Sequence, residues 1–382
     1  MRPRLGVLTC WPIQYHVPLY QRLAKRGNVD LNVLFLSDNG HNPVVDPGFG
    51  VTVAWDIDLL SGYQHRFLTS ADKSVSLGRT IRLLTKWLSS HDVVVVHGYT
   101  NPWMVLAMTI CRSRGVPYLL RGDSQPQSQF TGIRRHARNL GARLVVSASA
   151  GGLAIGQLNE QFYRRYGARR VIFAPYSVDD ERFARPPNCE RSELLAQWGL
   201  DDDKPVIMFC GKLYPGKRPL DLMTAVKLLP QQVSVLFVGD GELAEQVRAS
   251  LEPGNGAVTG FVNQSELPSY YHAADILVLP SQAEKWGLVV NEAMAAGVLP
   301  VVSDRVGAAP DLVKGVGEIY PCGDVASLAA ALARALKRVK NPQTRTQMRQ
   351  HMARYSLDRT AEGFEEAALA VSNPRHRRVT SS

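Results

Sequence analysis

Residues 280–314 read PSQAEKWGLVVNEAMAAGVLPVVSDRVGAAPDLVK, and the rest of the 382-residue chain can be read outward from them. The stretch follows an apolar run at 275–279 that has the composition of a strand buried on both faces. A turn then carries Glu284, Gly287 opens a helical pattern over 288–296, and Gly297 closes it as a C-cap. Residues 298–302 form a second apolar strand, so the stretch predicts a β–α–β unit. Glu284 stands in the loop before the helix and Glu292 about one and a half turns inside it, so both carboxylates can face one crevice. Between them, the backbone N–H groups around Gly287 and Leu288 lie at a helix N-terminus, which suits an anion.

The same alternation runs through the chain. Strand-like runs fall at Arg4–Thr9, 31–36, 92–96, 117–120, 144–147 and 171–174, with helical patterns at Val17–Arg26, 76–88 and 103–114. After the polar segment 185–205 the pattern restarts, with strands at Val206–Cys210, 233–238, 257–259, Ile276–Leu279 and 299–302. The fold class is therefore α/β: two tandem doubly wound, Rossmann-like domains with parallel sheets. We place the first at 1–185 and the second at 186–355, then a helix at 356–373 and a basic, disordered tail at 374–382. In such sheets ligands bind beyond the carboxyl ends of the strands, so the loops after the strands are where chemistry is expected.

Composition narrows the function. At 45% hydrophobic the chain can build sizeable cores, and no apolar run approaches the roughly 18 residues of a membrane span. Five scattered cysteines show neither metal nor disulfide spacing, which points to a reducing cytoplasm. The net charge of +10 is lopsided: residues 1–185 hold 23 Lys and Arg against 12 Asp and Glu, whereas residues 186–382 hold 21 against 22. Arg134, Arg135, Arg138 and Arg143 form one basic cluster, and Arg164, Arg165, Arg169 and Arg170 another. An anionic membrane surface or a phosphorylated acceptor would account for a basic first half. No zinc-finger spacing, RNP-like string or long basic helix supports nucleic acid.

The string EKWGLVVNEAMAAGVLPVV resembles the signature of glycosyltransferase family 4, Glu-x-Phe-Gly-Leu-x-x-x-Glu-Ala-Met-Ala-x-Gly-x-Pro-Val-Val, with Trp286 in place of the usual Phe. Cys210-Gly-Lys-Leu-Tyr-Pro-Gly-Lys-Arg resembles the family's Gly-Arg-Leu-x-x-x-Lys-Gly, with Lys212 for arginine, Lys217 matching and Arg218 for the final glycine. Val238-Gly-Asp-Gly-Glu resembles the family's Val-Gly-x-Gly loop, and Gly260-Phe-Val the loop that cups the base. The resemblance is specific over about 205–315 and looser before that. It implies a GT-B arrangement, two Rossmann-like domains across a cleft with the last helix, 356–373, crossing back to the first domain, and metal-independent, retaining transfer of a sugar from a nucleotide-sugar co-substrate to an acceptor hydroxyl. UDP-hexose is the commonest donor of such enzymes and GDP-mannose its main competitor.

By the same resemblance, Gly211, Lys212, Lys217, Gly239, Phe261, Val262, Glu284, Trp286, Gly287, Leu288 and Glu292 are the donor-binding set. Lys212, Lys217 and the amides near Gly287 would take up charge on the departing diphosphate. Glu284 would bind the donor sugar's hydroxyls and Glu292 the ribose. Glu284, Lys217, His97 and Arg121 are the expected catalytic set, with Gln14, His16 and Tyr99 as acceptor or cleft candidates: Gln14 and His16 follow the first strand, His97 and Tyr99 the strand at 92–96, and Arg121 ends the next one. Arg121 stands about where many relatives carry a histidine; it cannot be a general base, so an electrostatic role is expected. The aromatic and charged segment 55–67 suits an acceptor surface. No metal site is expected, because Asp201, Asp202 and Asp203 lie in the linker. The expected acceptor is a carbohydrate or lipid-linked sugar, in surface polysaccharide or glycolipid synthesis. Two alternatives remain: a nucleotide-sugar epimerase on the same fold, and a non-catalytic nucleotide-sugar-binding protein.

Overall fold

The computed structural model describes residues 2–38, 44–46, 51–69, 76–126, 132–187 and 189–372. Its strands are β1 (Arg4–Thr9), β2 (Asp30–Phe35), β3 (Val44–Asp46), β4 (Val51–Val53), β5 (His65–Phe67), β6 (Val93–His97), β7 (Tyr118–Arg121), β8 (Gly151–Ala154) and β9 (Val171–Phe173), then β10 (Val206–Cys210), β11 (Ser234–Val238), β12 (Gly256–Val258), β13 (Ile276–Leu279), β14 (Leu299–Ser303) and β15 (Glu318–Tyr320). The chain divides into two units. The first comprises Met1–Asn42, Asp58–Tyr176 and Leu357–Ser382, the second Pro43–Ile57 and Ser177–Ser356.

In the first unit seven parallel strands lie in the order β5-β2-β1-β6-β7-β8-β9. In the second, six lie in the order β12-β11-β10-β13-β14-β15, again all parallel. The central strands β6 and β10 are apolar and buried except at His97, the last residue of β6, as a sheet covered by helices on both faces requires. Each order runs outward in both directions from its first strand. The reversal falls between β1 and β6 in the first unit and between β10 and β13 in the second, and such switch points are where ligands bind.

Several expectations need correction. Residues 144–147 are not a strand but the end of the helix Gly132–Ala148. Within it Ala142 and Val146 are buried, whereas Leu140 and Leu144 are 60% and 62% exposed, a helical repeat that four apolar letters cannot reveal. The strand is β8, Gly-Gly-Leu-Ala. A Cβ at Gly152 would lie 2.6 Å from the Tyr163 ring, and one at Gly151 would lie 2.8 Å from the Arg170 carbonyl oxygen, so this strand admits no side chain there. The units are also not two consecutive halves. Residues 43–57 join the second unit, which otherwise starts at Ser177 rather than 186. Segment 55–67 is split accordingly, because its end, His65–Phe67, is the edge strand of the first unit. No such correction applies to the last helix, Leu357–Val371, which groups with the first unit: the Thr360 hydroxyl donates to the Pro175 carbonyl at 2.9 Å, and Arg26 is paired with Glu365. The tail 374–382 lies outside the described residues.

Candidate active site

In the second unit, three loops are bound together at the carboxyl ends of β10, β11 and β13. Gly211 N donates to the Val238 carbonyl at 2.9 Å, Leu213 N to that of Asp240 at 2.8 Å, and Gln282 N to that of Gly216 at 3.0 Å. Gly239 has φ 143°, and a Cβ there would fall 2.0 Å from the Gly211 carbonyl oxygen, so two backbones meet where no side chain fits. Lys217 lies in the 3-10 turn Pro215–Lys217, and its ammonium donates to Glu284 Oε2, bridging the loops that flank the switch point. Both side chains of this pair are about four-fifths covered, at 18% and 19% exposure. Lys212 is half-buried on the same loop.

Gly287 caps the helix Leu288–Ala295 with φ 95°, a left-handed conformation that glycine adopts without cost. A Cβ there would meet Leu279, Glu284 and Val306 side chains at 2.9–3.3 Å. No side chain caps this helix start. The Val290 N–H is spent on the Gly287 carbonyl, which leaves those of Leu288 and Val289 as the first-turn donors. One turn on, Glu292 is half-buried, and its Oε2 accepts from the Tyr271 hydroxyl at 2.6 Å. Its Oε1 accepts no hydrogen bond among the described residues. Burial raises the Glu292 carboxyl above its ordinary value, against the pull of the Tyr271 hydroxyl and the nearby charge of Arg182.

Trp286 points elsewhere. It is 5% exposed, and its indole N–H donates to the buried Asn291 at 2.9 Å, so the side chain is a pillar under the helix. Phe261 and Val262, both half-buried, follow β12, where Gly260 forms a bridge with Gly239. Segment 54–56 braces this loop. The Trp55 and Phe261 rings lie 6.2 Å apart, Asn263 donates to the Ala54 carbonyl at 2.6 Å, and Ser265 N donates to Asp56 at 3.1 Å. Sequence reasoning missed this brace, because 209 positions separate its partners. It missed Tyr271 too, because its helix, Leu-Pro-Ser-Tyr-Tyr-His-Ala, carries two adjacent tyrosines and the letters do not tell which hydroxyl turns to Glu292.

In the first unit, His16, His97 and Arg121 converge at the switch point. The two imidazole centroids are 4.7 Å apart, and His97 and Arg121 are register neighbours on β6 and β7. His16 is buried, and burial together with the Arg121 charge pulls it down to about 3. His97 is lowered well below its ordinary value by burial and by His16. Both imidazoles are therefore neutral near pH 7. Neither ring nitrogen of His16 has a partner among the described residues, nor has Nε2 of His97 or the hydroxyl of Tyr20. Arg121 has a role other than the one expected. It is 2% exposed, it donates to the carbonyls of Ala174 at 2.6 Å and Pro175 at 3.1 Å, and its guanidinium lies over the rings of Tyr176 and Phe364. It anchors the chain leaving β9 rather than reaching outward. Gln14 is half-buried in the turn before the first helix, and the Tyr99 hydroxyl meets that of Ser124 at 3.1 Å. Among the described residues no group of three or more His, Cys, Asp or Glu could hold a metal ion, and no helix is long and apolar enough to cross a membrane.

The second unit thus presents two lysines, two carboxylates and a bare helix start around one switch point, the equipment for a ligand that is anionic at one end and rich in hydroxyls elsewhere. Comparison with known proteins identifies the class. Residues 190–356 match the family model described as glycosyl transferases group 1. A 2-deoxystreptamine glucosyltransferase from Streptomyces kanamyceticus is 30% identical over 292 residues, covering 70% of this chain and 74% of that protein. A D-inositol 3-phosphate glycosyltransferase from Saccharomonospora viridis is 35% identical over 231 residues, covering 54% of this chain and 52% of that one. The chain thus spans about half the length of several curated relatives it matches. Among solved structures, Anabaena HepE in complex with UDP superposes with a TM-score of 0.72 at 16% identity, over 96% of this chain and 100% of that one. The chain belongs to the group 1 glycosyltransferases, and its fold is GT-B.

Proposed function

We propose that the chain is a retaining glycosyltransferase that moves a sugar, a hexose from UDP, onto an acceptor hydroxyl without a metal ion. The observation that carries this reading is the Lys217–Glu284 pair across the β10/β13 switch point, in the loops before a helix whose first-turn amides, those of Leu288 and Val289, lie one turn ahead of Glu292. The diphosphate is assigned to Lys212, Lys217 and those amides, the sugar hydroxyls to Glu284 and the ribose to Oε1 of Glu292. As the bond to the anomeric carbon breaks, negative charge grows on the leaving diphosphate, and preplaced cations and amide dipoles stabilise that charge more than they stabilise the ground state. Neither carboxylate is needed as a nucleophile. The leaving phosphate can take the acceptor proton on the same face, which retains configuration. The base rests on the loop Gly260–Val262. UDP is chosen as the nucleotide because a solved structure of the same fold was crystallised with it. The neutral His16 and His97 are acceptor-side hydrogen-bonding groups, with Gln14 and Tyr99 nearby.

We assign the acceptor to a carbohydrate or lipid-linked sugar, in surface polysaccharide or glycolipid synthesis. The helix Gly132–Ala148 supports a peripheral contact with anionic lipid, since it exposes Leu140 and Leu144 one turn apart among the exposed Arg134, Arg135 and Arg143. Co-sedimentation with phosphatidylglycerol vesicles, reduced in a Leu140→Ser, Leu144→Ser variant, is the expected result. A thermal-shift screen against UDP, GDP, ADP and TDP in the presence of chelator tests the donor site. Stabilisation by UDP alone, lost in Lys217→Ala and Glu292→Ala, supports the reading. No response to any of the four at millimolar concentration refutes it. The anomeric configuration of the product, read by NMR, tests retention.

A further inference from the structure

Glu292 is given the ribose in the reading above, and the inference rests on that reading. What holds the carboxylate is a separate matter. Tyr271, in the helix Leu267–Ala273, is fully buried, and its ring meets Phe183 edge-on at 5.6 Å. Its hydroxyl lies 2.6 Å from Glu292 Oε2, and the Cys210 thiol, at the end of β10, lies beside the same hydroxyl. Tyr271 therefore spans from the helix before β13 to the helix after it and reaches back to the central strand. We propose that Tyr271 is the positioning residue of the donor site: its hydroxyl fixes the rotamer of Glu292 through Oε2, leaving Oε1 without a protein donor and ready for the vicinal hydroxyls of the ribose.

The physical reason is one of freedom and charge. A glutamate side chain loses rotamer freedom when it binds a ligand, and a partner that holds it beforehand removes that cost from the binding step. The site is also dry enough to raise the carboxyl, and a donor at 2.6 Å keeps it ionised so that it can accept from two hydroxyls. The groups that act on this carboxyl are Tyr271, Cys210 of β10 and Arg182 of the helix Asp180–Ala184, which packs on the Glu292 helix. Burial pushes the Cys210 thiol up to about 12, so it stays protonated and contributes no charge. Within this cluster the acid titration therefore comes from Glu292, beside that of the UDP terminal phosphate, whose second ionisation lies at about 6.

The test is calorimetric titration of the full-length protein with UDP across pH for wild type, Tyr271→Phe and Glu292→Gln. Tyr271→Phe keeps the ring against Phe183 and removes one hydroxyl. We expect its Kd for UDP to rise about tenfold, the scale of one hydrogen bond to a charged group. The acid limb of its binding profile should move up by about one pH unit, because the carboxyl loses the donor that favours its ionised form. Glu292→Gln should weaken binding as well and keep only the acid limb that belongs to the UDP phosphate. 3-Fluorotyrosine at position 271 keeps the hydroxyl, makes it a stronger donor and should move the limb down; it serves as the test should the phenylalanine variant not fold. Weakened binding in Glu292→Gln with an unchanged Kd and limb in Tyr271→Phe would overturn the positioning role alone. Unweakened binding in Glu292→Gln would overturn the ribose assignment and this inference with it, as would failure of wild type to bind UDP.

Discussion

At the scale of single residues, the site depends on atoms that are missing as much as on those present. Gly239 faces the Gly211 carbonyl at a distance no Cβ tolerates, and its φ of 143° lies outside what side-chain-bearing residues adopt. Gly239→Ala should cost about 3 kcal/mol or more through overpacking and strain together, seen as a lower melting temperature of the second unit and loss of UDP binding. Arg218 is the contrasting residue: it is the only described non-glycine with positive φ, at 53°, it stands at the final glycine of the signature that this loop resembles, and its fork is paired with Asp221 at 2.7 Å. The ion pair offsets a left-handed backbone that costs about 1 kcal/mol. His16 makes the matching argument for the first unit. Its folded value is about 3 against an ordinary 6.5, so between these values the unfolded chain binds the extra proton. Stability is then full above pH 6.5 and falls as pH drops toward 3, by at most about 1.4 kcal/mol per pH unit for each such histidine. Melting curves from pH 7 to pH 5 should show the first unit weakening. His16→Asn should make that slope shallower in a range where ordinary carboxylates do not titrate; an unchanged slope would contradict a buried neutral imidazole.

At the scale of elements, the legible parts of the fold were those where one physical demand dominates the letters. The run Val93–Val96 is buried on both faces and can be little else, and the loops after β10, β11 and β13 showed in their glycines, lysines and glutamates, the residues that the proposed diphosphate and sugar would require. The expectation failed at 144–151 because two demands compete there. Leu144, Val145 and Val146 have strand-like composition but sit on a helix whose exposed face keeps Leu144 out of the core, while the true strand begins with two glycines of low strand propensity. Those glycines are dictated by neighbours distant in sequence, Tyr163 and Arg170. Gly152→Val therefore makes a sharp test. It raises local strand propensity, yet its side chain must displace the buried Tyr163 ring, so we expect destabilisation of about 3 kcal/mol in chemical denaturation rather than a gain. The brace of residues 54–56 on the loop after β12 and the hold of Tyr271 on Glu292 escaped the sequence for the same reason. Contacts between distant elements follow from the packing of the whole unit and leave no local pattern.

At the scale of the whole molecule, the chain closes the first unit with its last described helix. Leu357–Val371 buries Ala361, Phe364, Ala367 and Ala368 completely, and at Gly363 its backbone runs so close that a Cβ would lie 2.4 Å from the Phe173 carbonyl oxygen. Phe364 lies under the Arg121 guanidinium at 4.9 Å, and Arg22 and Arg26 reach to Asp358 and Glu365. The helix thus covers the buried cation next to His16 and His97, and a chain ending at Ser356 would expose Arg121, β9 and the apolar face of the helix Val17–Arg26 together. Uncovering these surfaces removes apolar burial worth roughly 25 cal/mol per Å² and leaves a charge half desolvated. The second unit, Ser177–Ser356 with residues 43–57, loses none of its own core or donor loops. Truncation after Ser356 should therefore abolish the melting transition of the first unit in calorimetry and end sugar transfer, while UDP still shifts the transition of the second. Two intact transitions would show that the helix is dispensable to the first unit. Loss of UDP binding as well would show that the second unit depends on the first for its fold.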